Sequence, residues 1–492
     1  MSMFLEKEQK EQIGLNFIMD KLQVITPFGM DEKRNVKPFY KKDLLLLQEE
    51  LDNVEKVMKS YNNYKGLYLS IERVFMKFKN IKHSLKRCDN DEILDDVELY
   101  EIKIFSMALQ ELIEIFSCLN KEISLYHISF VSLDEITSAL DPDNSLIPTF
   151  HIYDSYSSAL KDIREHKRSL EKEILSSSHK DTIALLKEKR LAYVLQESEE
   201  ELVIRKKLSS KIKSYTDIFY SNIDSLGNLD FLIAKAKLAI TYNCVKPLIA
   251  HNMSISLKGA QNPAFAHILE RKGKTFAPLD LDLNHGTTVI TGANMGGKSV
   301  TLKTLALNIL LVQMGFFPFC KKAQVPILDF IYFISDDMQC VSQGLSTFGA
   351  EIMKLKIILN HSKRNHGLII LDEFARGTNP KEGFFLVKAL SVYLNTLESI
   401  SIISTHYDNV AEDNMTHYQV IGLKNVDFEA LKRKLNLNKS QSVDIIQDNM
   451  DYRLELVSKI NSVPKDALNI CMLLGLDKEV LEIAKTYYKE DQ

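Results

Sequence analysis

Glycine and proline are spread so unevenly along these 492 residues that they fix the broad layout of the chain. No glycine occurs between Gly66 and Gly227 and no proline between Pro148 and Pro247, whereas ten of the 18 glycines fall between Gly286 and Gly383. Helix interiors exclude both types, glycine for its backbone entropy and proline for its missing N–H and its clash with the preceding turn. The first half is therefore predicted to be long helices, and the second half loops joining strands to helices. From Leu208 through Ile212, Tyr215, Phe219 and Asn222 to Ile240, apolar positions recur at steps of three and four. That spacing predicts one face of a single helix more than about eight turns long, packed into a core.

Upstream, residues 157–175 and 181–190 are also predicted helical and are rich in Glu, Lys and Arg. The break SSSHKD at 176–181 and the apolar clusters LAYVL (191–195) and ELVI (201–204) are expected to interrupt them. The region reads as an antiparallel helical arm with a small tip near 176–207. Over 180–207 the basic residues are Lys180, Lys187, Lys189, Arg190, Arg205, Lys206 and Lys207, set among six acidic ones. Such a mixture fits a solvated coiled-coil face better than a DNA clamp.

After Pro263 the pattern changes. TTVIT (287–291) is a β-branched strand that runs into a glycine-rich loop and then an apolar helix over 298–314. PILDFIYFI (326–334), GLIILDE (367–373) and SIISTH (401–406) are predicted as further strands. Short apolar strands separated by helices build a parallel, doubly wound sheet. The fold class expected is thus mixed, with long helices followed by an α/β domain.

Lys and Arg number 62 against 66 Asp and Glu, a net charge of −4. A protein that binds nucleic acid through counterion release usually carries a basic excess, and the whole-chain balance gives none, although charge can be segregated locally. The six cysteines are scattered without a CxxC pair, which argues against a zinc site or a disulfide framework and fits a reducing compartment. The opening MSMFLEKEQKEQ is too charged for a signal peptide, and no apolar run approaches ~18–20 residues. A cytoplasmic protein with no membrane partner is expected.

Gly292, Ala293, Asn294, Met295, Gly296, Gly297, Lys298 and Ser299 satisfy G-x-x-x-x-G-K-[ST] between a predicted strand and a predicted helix. Glycines there let backbone N–H groups converge on phosphate oxygens at a helix N-terminus, which Val300 continues. Lys298 would reach the β- and γ-phosphates of ATP, and the Ser299 hydroxyl would ligate Mg²⁺. At the end of an apolar strand stand Asp372, suited to holding the Mg²⁺ shell, and Glu373, suited to deprotonating the attacking water. Ser346 and Thr347 open a predicted helix, Asn379 lies in a turn after the carboxylates, and His406 closes the strand that follows. Each of those four has an ordinary reading as well, as a cap, a surface turn or a buried histidine.

TGANMGGKS, LSTFGAEI, LDEFARGTNPKEG and STHYDNV, in this order, resemble the ATPase domain of the MutS family. That family belongs to the ABC-type ATPases, whose sites are composite at a dimer interface. The resemblance implies that Ser346 and Thr347 face the partner subunit's γ-phosphate and that Asn379 lies on the loop crossing the interface. It also implies that His406 contacts the γ-phosphate or water, and that Phe276 stacks on adenine. It further implies that 467–488 resembles terminal helices that support a homodimer. The layout expected is a start of the lever domain over 1–40, a helical core with lever arms over 41–249, an ATPase domain over 250–430 and dimerisation helices over 431–492.

Residues 14–34 already resemble the start of the lever domain, so a mismatch-recognition domain and a nuclease tail are expected to be absent. Phe4-Leu5-Glu6 matches the Phe-x-Glu of mismatch recognition, but on a short tail, and reads as coincidence. Segments 95–105, 148–156 and 314–333 resemble the MutS-related ATPase of the lysine 5,6-aminomutase reactivase. The favoured expectation is accordingly an ATPase that remodels a protein client, an aminomutase with a companion reactivase subunit. The alternative is a DNA-binding MutS paralogue acting on mismatched or branched duplex.

Overall fold

The computed structural model describes residues 3–145, 147–292, 297–335, 347–423, 426, 449–457, 471–472 and 476–490. They form two compact units, one of residues 1–22, 37–55 and 235–492, the other of residues 23–36 and 56–234. Segments 1–40 and 41–249, read from the sequence as successive pieces, are each shared between the two. The helical first part is followed by a sheet-containing part, a mixed α/β protein. Among the described residues, no helix is long and apolar enough to cross a membrane.

The unit of 23–36 and 56–234 is helical. Its central helix, Asp96–Ile123, starts on a capping box. Asp95 accepts from the Val97 and Glu98 N–H groups, while the Glu98 carboxylate accepts from Asp95 N–H. Phe105 on that helix meets the rings of Phe28, Phe78 and Phe219 at 6.2, 5.1 and 5.7 Å. The arm is a hairpin of the helices Ser158–Ser176 and Lys180–Lys213. Arg164 pairs with Glu197 and Glu201, Lys167 with Glu197, and Arg190 with Glu171, a register that only antiparallel helices give.

Two expectations need correction here. LAYVL and ELVI do not interrupt the arm: the helix runs unbroken from Lys180 to Lys213, and the connection is only 177–179. A long helix tolerates these clusters because apolar side chains do not break the backbone ladder: Leu191, Leu195, Leu202 and Val203 stand exposed on it, and Ile204 is buried. The predicted single helix over 208–240 is instead broken at Ser214 and Tyr215, between Lys180–Lys213 and Thr216–Thr241. The Ser214 hydroxyl bonds back to the Lys211 carbonyl and Thr216 to that of Lys213, taking carbonyls that would otherwise continue the ladder.

The other unit holds two sheets. Strands β1 (Leu248–Ala250), β2 (Ser254–Ala260), β3 (Leu279–Asn284) and β5 (Lys322–Pro326) form one, in the order β1-β5-β2-β3. Strands β4 (Gly286–Thr291), β6 (Ile331–Ser335), β7 (Leu368–Asp372), β8 (Ile400–Ser404), β9 (Thr416–Gly422) and β10 (Asp451–Leu456) form the other. Its order is β10-β9-β4-β8-β7-β6, parallel except for β10. Strands β4, β6, β7 and β8 are buried along their whole length, as covered parallel strands must be. The helix Lys298–Gln313 is buried nearly all round and touches both β7 and β2.

The predicted strand 326–334 is two strands in different sheets, β5 ending at Pro326 and β6 beginning at Ile331. Pro326 supplies no N–H to extend a ladder, and the chain changes sheets over the next four residues. Phe4 is buried, bridges to Ile331 and meets the ring of Tyr40 edge-on, so it is a core residue rather than a presented wedge.

Candidate nucleotide site

Parallel strands bring their C-terminal ends to one edge, and here β8 lies between β4 and β7. Ser404 at the end of β8 is level with Ile290 on one side and Asp372 on the other. The β4 end turns through Gly292, whose φ of +135° only glycine tolerates, and whose Cα has Val420 so close that a Cβ would sit 3.0 Å from it. Gly297, at φ +77°, then opens the helix Lys298–Gln313.

The side chains that meet at this edge are charged and nearly dry. Lys298 is 3% exposed; its Nζ donates to the Gly292 carbonyl at 2.7 Å and lies 3.5 Å from Glu373 Oε1. Burial lowers the Lys298 pKa, opposed by the charges of Glu373 and Asp372. Asp372, also buried, accepts hydrogen bonds from Ser404 Oγ and the Ser299 hydroxyl. Burial holds its carboxyl above the usual carboxylate range, and those two hydrogen bonds pull it back only in part.

Glu373 leaves the strand in a left-handed conformation, φ +50°. Its N–H donates to the Ser404 carbonyl at 3.1 Å, and its carboxylate accepts from Arg376 Nη1 at 2.7 Å. His406 is exposed at the surface yet crowded on one side, with the Tyr407 ring 4.3 Å away. That crowding keeps its imidazole below the usual histidine range while Glu373 pulls the other way.

The structure therefore brings Lys298, Ser299, Asp372 and Glu373 into one connected cluster, with His406 within electrostatic reach. Among the described residues, it does not draw in Phe276 or Asn379 by hydrogen bond or ion pair. Phe276 is half-buried in the segment before β3. Asn379 caps the helix Pro380–Asn395 by accepting from Lys381 N–H at 3.0 Å. Val300 is half-buried, its carbonyl taken by the Thr304 hydroxyl. Ala293, Asn294, Met295, Gly296 and Ser346 lie outside the described residues, and of Thr347 only the backbone, opening the helix Thr347–Ser362, is described.

Three neighbours carry no role in the sequence reading: Ser404, Arg376 and Glu351, whose Oε2 accepts the Ala375 N–H at 3.2 Å. Ser404 has a signal, a small polar residue ending an apolar strand. Arg376 and Glu351 have none beyond lying inside the quoted motifs.

Residues 288–473 match the family model described as MutS domain V. The chain is similar to proteins named Endonuclease MutS2. It is 27% identical to that of Caldanaerobacter subterraneus subsp. tengcongensis over 91% of this chain and 60% of the relative. With that of Caldicellulosiruptor saccharolyticus the identity is 35% over 60% of this chain and 35% of the relative. With that of Pediococcus pentosaceus it is 26% over 84% and 57%. The matched part is thus at most 60% of the length of these relatives.

These matches support a MutS-family protein. They overturn the favoured expectation of an aminomutase reactivase: these three relatives are named as endonucleases, and none is named for a protein client.

Proposed function

We propose that this MutS-family chain binds and hydrolyses Mg–ATP at the edge formed by β4, β8 and β7, and that as a homodimer it acts on mismatched or branched duplex DNA. The observation that carries the ATPase part is the cluster itself. A buried lysine, a hydroxyl bonded to a buried carboxylate, and a second carboxylate held by two cations converge after a strand that turns on glycine.

In this reading Lys298 and the N–H groups of 292–297 hold the β- and γ-phosphates. Ser299 and Asp372 fit a Mg²⁺ site, being oxygen donors already drawn together, one neutral and one anionic. Mg²⁺ supplies charge neutralisation on the phosphate oxygens. Glu373 takes the proton from the attacking water and His406, neutral near pH 7, meets the γ-phosphate edge. Phe276 stacks on adenine, while Ser346, Thr347 and Asn379 complete the partner subunit's site.

The DNA part is supported by the relatives' name. It is tested by phosphate release together with binding of homoduplex, mismatched and four-way-junction DNA at about 150 mM salt, where non-specific binding is already weakened. ATP hydrolysis with tighter binding of mismatched or branched DNA than of homoduplex is expected. Equal, weak binding of all three would overturn the DNA reading while leaving the ATPase reading standing.

A further inference from the structure

The turn after β7 is held against its own preferences. Glu373 and Ala375 both lie in the left-handed region, at φ +50° and +62°. Non-glycine residues are strained there, and such turns persist only where their surroundings over-determine them. One anchor is β8, through Glu373 N–H on Ser404. A second is the close approach of the helix Pro380–Asn395. At Gly383 a Cβ would lie 2.9 Å from the Ala375 carbonyl oxygen and 2.4 Å from the Tyr407 hydroxyl.

The third anchor is Glu351. It stands in the second turn of the helix Thr347–Ser362, on the side whose Leu355 and Ile358 pack into the sheet core, and it is only 8% exposed. A carboxylate is costly in such a place unless hydrogen bonds hold it. One of its oxygens accepts the N–H of Ala375, the middle of the strained turn.

We infer that Glu351 is a positioning residue for Glu373. By anchoring the Ala375 N–H it fixes the turn, and with it the direction in which the Glu373 carboxylate leaves the strand, and it ties that direction to the helix Thr347–Ser362. The inference rests on the ATPase reading of the site. Lys298 and Ser299 are placed by β4 and their own helix, so loss of the Glu351 anchor acts on turnover and spares nucleotide affinity.

The test compares wild type, Glu351→Ala and Glu351→Gln in the full chain, by affinity for a fluorescent ATP analogue and by single-turnover hydrolysis. Glu351→Ala is expected to keep affinity within about threefold while hydrolysing at least about tenfold more slowly. Glu351→Gln, whose amide oxygen can accept the same N–H, is expected within about threefold of wild type in both. Wild-type turnover in Glu351→Ala, parallel loss of affinity and rate, or a Glu351→Gln protein as slow as Glu351→Ala would each overturn the inference. Should Glu351→Ala not fold, Glu351→Asp, one methylene too short to reach, replaces it with the same expected loss of rate. A wild-type protein without turnover would sink the ATPase reading and this inference together, an outcome distinct from a working enzyme indifferent to residue 351.

Discussion

Arg376 donates from Nη1 to one oxygen of Glu373 at 2.7 Å, while Lys298 stands 3.5 Å from the other. The two cations fix the plane of the carboxylate. Arg376 is half exposed, at 49%, so its ion pair contributes at most about 1 kcal/mol to stability, and its effect is orientation. Arg376→Ala should therefore melt near wild type but slow single-turnover hydrolysis about tenfold. Arg376→Lys should recover most of the rate, because a lysine ammonium can also donate to the Glu373 carboxylate. An undiminished rate in Arg376→Ala would show that Glu373 needs no such guide.

Glu373→Gln keeps the shape of the side chain and an oxygen for Arg376, but it cannot take a proton from water. Removal of a general base costs about 10²–10⁴-fold in rate. ATP affinity should survive, since Lys298 and the N–H groups of the loop are untouched. Lys298→Ala should do the reverse, weakening nucleotide binding directly. Equilibrium binding and single-turnover rates on the two variants separate the assignments, and normal turnover by Glu373→Gln would remove Glu373 from the water-activating role.

Asp372 trades stability for chemistry. Burial raises its carboxyl above the ordinary value of about 4, so the folded state holds the proton more tightly than the unfolded chain. Between those two values the folded state binds more protons, and stability falls as pH rises through the window. Asp372→Asn has no charge to bury. Without nucleotide it should melt above wild type at pH 7, with the gap closing as pH falls toward about 4. Its Mg²⁺-dependent hydrolysis should be lost. Melting curves from pH 4 to 8 decide this, and a wild type at least as stable at pH 7 would mean that the serine hydrogen bonds outweigh burial.

What the sequence disclosed follows from which features carry a spacing signal. Gly292, Gly297, Lys298 and Ser299 were legible because glycine, lysine and serine stand there at intervals the phosphate chemistry dictates. Asp372 and Glu373 were legible because an apolar run ends on them. The division of 326–334 was not, because the linking residues Ile327, Leu328 and Phe330 are as apolar as those of β6 and Pro326 is a single mark. The break at 214–215 was hidden because the three–four spacing continues in phase across it. Glu351 and Arg376 act through single polar contacts to the turn, the Ala375 N–H and the Glu373 carboxylate, and such contacts leave no periodicity to read. The balance of 62 basic against 66 acidic residues misdirected the functional reading, because a sum over the chain says nothing about where free charge stands.

The arm shows where such charge stands. Of the seven basic residues over 180–207, Arg190 is paired with Glu171 and Arg205 with Asp96. Lys180, Lys187, Lys189, Lys206 and Lys207 are exposed and make no ion pair among the described residues. Lys180 and Lys187 are seven residues apart on one helix, about two turns, so they share a face and can touch neighbouring phosphates along one strand. If DNA lies against this face, each contact releases counterions and contributes roughly 0.9 to the slope of log K against log salt. Replacing both by alanine should lower that slope by about 1.8 and weaken homoduplex and branched DNA alike, since phosphates carry no sequence information. Both residues are exposed, so melting should not change. The measurement is anisotropy titration of the double variant and wild type at several salt concentrations from about 50 to 200 mM. An unchanged slope, with affinity intact, would take the arm face of Lys180 and Lys187 out of the DNA contact and place the binding surface elsewhere on the chain.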